Sequence, residues 1–134
     1  MPDSLKILIV DDIDLMRQEF IAICREYVPD ARIDEANNVV HAMELLIKES
    51  PPYDAIFTDV NMPSVSGLKL ISLVRNLIHY KDVPVIVMST TTGRSDIARA
   101  LQIGANAYLT RPMQREYFEI VYLSYLDPVL KKRR

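Results

Sequence analysis

Asp59 closes an apolar run, Ala55-Ile56-Phe57-Thr58, and opens a polar loop, Val60-Asn61-Met62-Pro63, that Gly67 ends. Asp11 and Asp12 close a second run, Lys6-Ile7-Leu8-Ile9-Val10. Ser89 follows Val85-Ile86-Val87-Met88, and Arg111 follows Ala107-Tyr108-Leu109-Thr110. Carboxylates gathered in one place repel unless their pKa values rise or a cation sits among them. Oxygen donors with room for water suit Mg²⁺. Transfer of a phosphoryl group needs charge neutralisation and in-line positioning more than covalent chemistry, and a metal with fixed donors supplies both. Asp59 is accordingly read as an acceptor for a phosphoryl group.

The elements that would bring these residues together are legible in the periodicity. Lys6–Val10 is a run buried on both faces, as in a parallel sheet. Asp14 caps a helix that runs to about Val28, and Pro29-Asp30 stops it. Arg32–Ala36 alternates like an edge strand, and Asn37 or Asn38 caps a second helix that Ser50-Pro51-Pro52 ends. Tyr53–Asp59 is the third strand. Helices are expected from Gly67 to about His79, from Ser95 or Asp96 to Gly104, and from Gln114 to near Asp127-Pro128. Five strands alternating with five helices predict an α/β fold, a doubly wound parallel sheet with helices on both faces. Ligands bind such sheets outside the carboxyl ends of the strands. Asp11, Asp12, Asp59, Ser89 and Arg111 all fall on that rim.

The 134 residues suit one domain, 1–134. A net charge of −2 gives no global drive toward nucleic acid or an anionic membrane. The apolar runs are short and interrupted by charge, so none is expected to span a membrane. Cys24 is alone, which fits a reducing, cytoplasmic setting, and its apolar neighbours predict a buried, inert thiol. A flavin carrier on this fold would show a Ser/Thr/Gly-rich phosphate loop after the first strand. Asp11-Asp12-Ile13-Asp14 would repel a phosphate unless metal intervened.

Four segments together carry a family resemblance: Ile9-Val10-Asp11-Asp12, Asp59-Val60-Asn61-Met62-Pro63, Pro84-Val85-Ile86-Val87-Met88-Ser89 and Tyr108-Leu109-Thr110-Arg111-Pro112. In these the chain resembles, over essentially its whole length, the receiver domain of bacterial two-component response regulators, the single-domain chemotaxis type included. The resemblance implies a flavodoxin-like sheet in the order 2-1-3-4-5. It implies that Asp59 is the phosphoacceptor, with a histidine kinase or phosphotransfer protein as donor. It implies Mg²⁺ held by Asp12, Asp59 and the Asn61 backbone carbonyl, with Asp11 acting largely through water. Ser89 would hydrogen-bond a phosphoryl oxygen, and Tyr108 would be the aromatic switch that moves inward. The domain would be a signalling module rather than an enzyme, with at most weak self-dephosphorylation. Arg111 departs from the family's lysine. Its larger planar fork would bind phosphate at two points, lock onto Asp59, or crowd the site. Thr90 departs from a usual Ala or Gly and would narrow access, and Val39 replaces a common glycine in what reads as a local turn variation.

In the last helix Phe118, Val121, Tyr122 and Tyr125 form the core stripe, whereas Tyr117, Ile120, Leu123 and Leu126 lie on the other side. A helix apolar on two sides is covered on two sides. A downstream protein partner or a homodimer is therefore expected through the fourth helix, the fifth strand and this helix. Residues 131–134 read as a basic tail. Two alternatives stay open: a degenerate receiver that only scaffolds, and a receiver cut from a longer regulator with an output domain.

Overall fold

The computed structural model describes residues 4–62, 66–90 and 94–133, except for the side chains of Arg94 and Ser95. Pro63, Thr91 and Thr92 lie outside it. Five strands form one parallel sheet in the order 2-1-3-4-5: β1 (Lys6–Val10), β2 (Arg32–Ala36), β3 (Ala55–Thr58), β4 (Val85–Ser89) and β5 (Ala107–Thr110). The strand limits match the apolar runs, save that Tyr53, Asp54 and Asp59 flank β3 rather than belong to it.

Side chains alternate across the sheet, as a period of two dictates. Ile7, Ile9, Ala55, Phe57, Ile86 and Met88 face one way, toward α1 (Asp14–Tyr27) and the C-terminal helix. Leu8, Val10, Ile56, Val85 and Val87 face the other, toward α2 (Val39–Lys48), α3 (Gly67–Arg75) and α4 (Arg94–Gln102). Each face is therefore a separate core under its own helices. On the first, Phe20, Phe57 and Phe118 meet with ring centroids 4.6 to 6.1 Å apart, which ties α1, β3 and the last helix together. Cys24 is buried in this core, and burial pushes its thiol up to about 12, as an inert structural cysteine requires.

Local chemistry sets the helix ends. The Asn38 carboxamide oxygen accepts the His41 backbone N–H at 2.7 Å and caps α2. Val39, expected as a turn variation, is the first residue of that helix and lies in the core. Asp14 is the first residue of α1 rather than its cap. Ile13 holds the cap position, and its N–H is taken by Asp11 instead. The helix expected to reach His79 stops at Arg75 and is followed by a short 3₁₀ turn, Ile78–Tyr80.

The C-terminal helix corrects two expectations. α5 (Arg115–Val121) passes into a π turn, Tyr122–Leu126, and continues as α6 (Asp127–Arg133). The Asp127 N–H reaches back five residues to the Tyr122 carbonyl. A π turn holds one residue more than an α turn, so the following residues rotate back by roughly 100°. That rotation takes Leu126 off the partner face and buries it completely, and it sets Val129 and Leu130 against the same core. Residues 131–133 are the last turn of α6, not a tail. Lys131 pairs with Asp127, and the Arg133 guanidinium donates to the Ser4 carbonyl and pairs with Asp54 beneath the sheet.

Gly67 settles how α3 meets β3. Its N–H donates to the Val60 carbonyl at 3.1 Å, and a Cβ there would stand 1.9 Å from the Asp59 carbonyl oxygen. The helix start is pressed against the loop that follows Asp59, and only a residue without a side chain fits.

Two outcomes follow from this packing. Leu126→Ala lowers the unfolding free energy by about 2–5 kcal/mol in urea titrations, whereas Ile120→Ala changes it by no more than about 0.5 kcal/mol. Gly67→Ala costs about 1–3 kcal/mol through overpacking and shifts the amide resonances of Asp59, Val60 and Asn61, with β2 left unmoved.

Candidate functional site

The sheet ladder runs on past the strand ends and fixes the backbone of each candidate residue. The Asp11 N–H donates to the Ala36 carbonyl at 3.0 Å, and the Asp59 N–H donates to the Val10 carbonyl at 2.9 Å. The Arg111 N–H donates to the Ser89 carbonyl at 3.0 Å. Adjacent strands thereby present Asp11, Asp12, Asp59, Ser89 and Arg111 on one rim, as the α/β rule requires.

Asp11, Asp12 and Asp59 each offer a carboxylate oxygen, and the three atoms lie within 4.8 Å of one another. Asp11 and Asp59 are buried and Asp12 is half-buried. Burial pushes the Asp11 pKa above the ordinary carboxylate value, and the charges of Asp59 and Asp12 add to the rise. The Ile13 N–H, bonded to Asp11 Oδ1 at 3.0 Å, and the Arg111 guanidinium pull it back. Asp12 Oδ1 is buried without a hydrogen-bond partner. An orphaned carboxylate oxygen beside two other carboxylates could hold a hard divalent cation, and the donor set suits Mg²⁺.

Asn61 and Ser89 continue the rim. The Asn61 N–H donates to Asp59 Oδ1 at 3.2 Å, and its Nδ2 donates to Ser89 Oγ at 3.0 Å. Ser89 is fully buried, and its hydroxyl is also hydrogen-bonded to the Tyr108 phenol. Burial raises the Tyr108 pKa, and the ring is already half-buried against the α3–α4 core. Thr90, the next residue, is exposed.

Arg111 meets neither Asp59 nor open solvent. Its Nη2 lies 2.5 Å from Asp11 Oδ2, and both side chains are at least nine-tenths buried. Arg17 holds the other side of Asp11, with Nη1 on the Asp11 carbonyl at 2.7 Å, Nε on Glu35 and Nη2 on Asp14. Sequence reasoning passed over Arg17. Its only sequence signal is an arginine three residues after Asp14 at the start of α1, the spacing of an ordinary surface pair. Of the expected partner face, Tyr117, Ile120 and Leu123 are more than half exposed, whereas Leu126 is not part of it; on α4, Leu101 is exposed as well.

Known proteins are similar to this chain in sequence and fold. A sequence model described as the response regulator receiver domain matches residues 7–121. A chemotaxis protein CheY homolog of Campylobacter jejuni is 34% identical over 108 residues, covering 81% of this chain and 82% of its own. Chemotaxis protein CheY1 of Helicobacter pylori is 29% identical over 123 residues, covering 87% and 96%. The solved structure of the chemotaxis response regulator CheY4 of Vibrio cholerae superposes with a TM-score of 0.80 at 25% identity, covering 92% of this chain and 99% of that one. The rim of carboxylates, the 2-1-3-4-5 sheet and these likenesses agree, and the chain belongs to the response regulator receiver domain family of two-component signalling.

Proposed function

We propose that Asp59 is the phosphoacceptor of this receiver and that Asp11, Asp12 and Asp59 hold Mg²⁺ with the Asn61 backbone carbonyl. The observation that carries the reading is the buried, partnerless Asp12 Oδ1 in a cluster of three carboxylates, one of which ends the central strand β3. A bound divalent cation would supply charge neutralisation at the phosphoryl oxygens. The chain's residues do the rest. An Asp59 carboxylate oxygen attacks phosphorus in line, forming the O–P bond as the bond to the donor's imidazole or acyl oxygen breaks, and the leaving group departs with that electron pair. The Asn61 N–H holds Asp59 Oδ1 and so sets which way the carboxylate turns. The donor is a histidine kinase, a phosphotransfer protein or a small acyl phosphate.

The product carries more charge and three strong acceptor oxygens. The Ser89 hydroxyl, now bonded to Asn61 and Tyr108, gains a stronger acceptor beside Asp59. Turning toward it alters the bond to the Tyr108 phenol and biases the ring between positions. The exposed Tyr117, Ile120 and Leu123, with Leu101, are the face that reads this change, by binding a downstream protein or a second copy. The described residues include no helix long and apolar enough to cross a membrane.

Incubation with acetyl phosphate and Mg²⁺ gives a mass gain of one phosphoryl group that is labile at alkaline pH and missing in Asp59→Asn. No adduct with any donor overturns the reading. For the output face, Ile120→Glu/Leu123→Glu keeps phosphorylation at the wild-type rate and abolishes the phosphorylation-dependent complex or dimer seen by light scattering. A complex unchanged in that double variant places the contact elsewhere.

A further inference from the structure

Asp12 is the aspartate of the cluster that its own hydrogen bonds hold least. Its Oδ1 is buried and takes no donor, so the direction of that oxygen has to come from the backbone that carries it. The peptide unit entering Asp12 is planar and has the Asp11 carbonyl at its other end, so whatever fixes that carbonyl also fixes the Asp12 Cα. The Asp11 N–H is held by the sheet, on the Ala36 carbonyl at 3.0 Å. The Asp11 carbonyl lies past the end of β1 and accepts instead from Arg17 Nη1 at 2.7 Å.

Arg17 is anchored at its other two nitrogens. Nε donates to Glu35 Oε1 at 2.9 Å, and Nη2 donates to Asp14 Oδ1 at 2.9 Å. Glu35 is on β2, and Gln18 Nε2 holds the same oxygen at 3.2 Å. One guanidinium therefore spans the end of β1, the end of β2 and the first turn of α1. Its side chain is 14% exposed, whereas that of Asp14 is 78% exposed, so the Asp14 arm is a surface pair of little weight and the grip is inward. Arg17 reaches Asp11 only at its backbone and donates to none of the three clustered carboxylates. We propose that Arg17 is a positioning residue for the cation site. By pinning the Asp11 carbonyl it orients the Asp11–Asp12 peptide and keeps the partnerless Asp12 oxygen beside the other two carboxylates before a cation arrives. The proposal rests on the reading of the three aspartates as the cation site.

Charge and positioning act with opposite signs. Removing a positive charge near a cation site raises cation affinity by Coulomb's law, whereas releasing the group that orients a ligand lowers it. Arg17→Gln lowers Mn²⁺ affinity, read by electron paramagnetic resonance, by about tenfold, and Arg17→Lys, which keeps the charge but cannot span three acceptors, lowers it in the same direction. Asp14→Asn, which weakens only the exposed arm, leaves it within about twofold. The metal-free protein gives an independent readout: in Arg17→Gln the Asp11 carbonyl-carbon and Asp12 amide resonances shift, while those of β4 and β5 stay in place. Mn²⁺ affinity that is unchanged or higher in Arg17→Gln overturns the proposal and leaves the cation site standing. So does an unmoved Asp11 carbonyl resonance, or a fall in affinity with shifts spread through β4 and β5, which marks general loosening of the sheet. If Arg17→Gln does not fold, Arg17→Lys decides the question by the same readouts. A wild-type protein that binds no Mn²⁺ overturns the cation site itself, and the role of Arg17 with it.

Discussion

Everything at the rim depends on one constraint: a parallel sheet buried on both faces carries its strand-end carboxylates out of water. The Asp11 N–H and Asp59 N–H are ladder donors, so neither residue can move outward without breaking a sheet hydrogen bond. Burial of this kind penalises charge, and three carboxylates penalise one another, which is why the Asp11 pKa is raised even with a guanidinium on its oxygen. The rim is thus held in a condition that favours cations. Arg111 and Arg17 satisfy part of that demand from within the chain, on the carboxylate and the carbonyl of Asp11 respectively. The partnerless Asp12 Oδ1 is the part they leave.

The rest of the fold serves that constraint. Alternation along β1, β3 and β4 gives two independent cores, so helices on both faces brace the strands against shear. Gly67 lets α3 start in contact with the Asp59 carbonyl, which fixes the loop that presents the Asn61 N–H to the carboxylate. Opposite the rim, Arg75 donates to the carbonyls of Gly104, Tyr80 and Val83 and to Asn106, tying the entrances of β4 and β5 to the end of α3. The sheet is consequently anchored at its amino ends and left with its chemistry, and its adjustable side chains, at its carboxyl ends.

Much of this was readable before any coordinates. Runs such as Ile7-Leu8-Ile9-Val10 and Val85-Ile86-Val87-Met88 are too short and too β-branched for helices. Each is followed by a polar residue, so the parallel sheet and rim membership follow from topology rules, while the strand order came from the family resemblance. The wheel of the last helix failed at Leu126, because it assumes a constant rotation per residue and a π turn breaks that assumption. Nothing in Tyr122-Leu123-Ser124-Tyr125-Leu126 announces the extra residue, since π turns are set by tertiary packing rather than by residue type. The partner of Arg111 was also out of reach. Sequence places it on the rim, but whether a long cation turns to Asp59 or to Asp11 depends on which oxygens the backbone N–H groups have already taken. Arg17 was missed for the related reason that its bond to the Asp11 carbonyl is a contact to backbone, which has no sequence signature.

Because the ladder holds the backbone of Asp11, Asp59 and Arg111, a change of state at the rim has to be made by side chains. The candidates form a connected series: Asp59 to Asn61, Asn61 to Ser89, Ser89 to Tyr108. Each step is a hydrogen bond that a phosphoryl oxygen would compete for, and each lies on a different strand end or loop. Tyr108 closes the series on β5, half-buried against the core under α3 and α4. In the proposed reading Tyr108 is the ring that responds, and two-state elements of this kind differ by about a few kcal/mol. A charged group added to Asp59 changes hydrogen bonds by that amount or more. The fold therefore has no need of a large rearrangement to transmit the event: the rigidity that keeps the carboxylates together also confines the response to the few side chains that can turn.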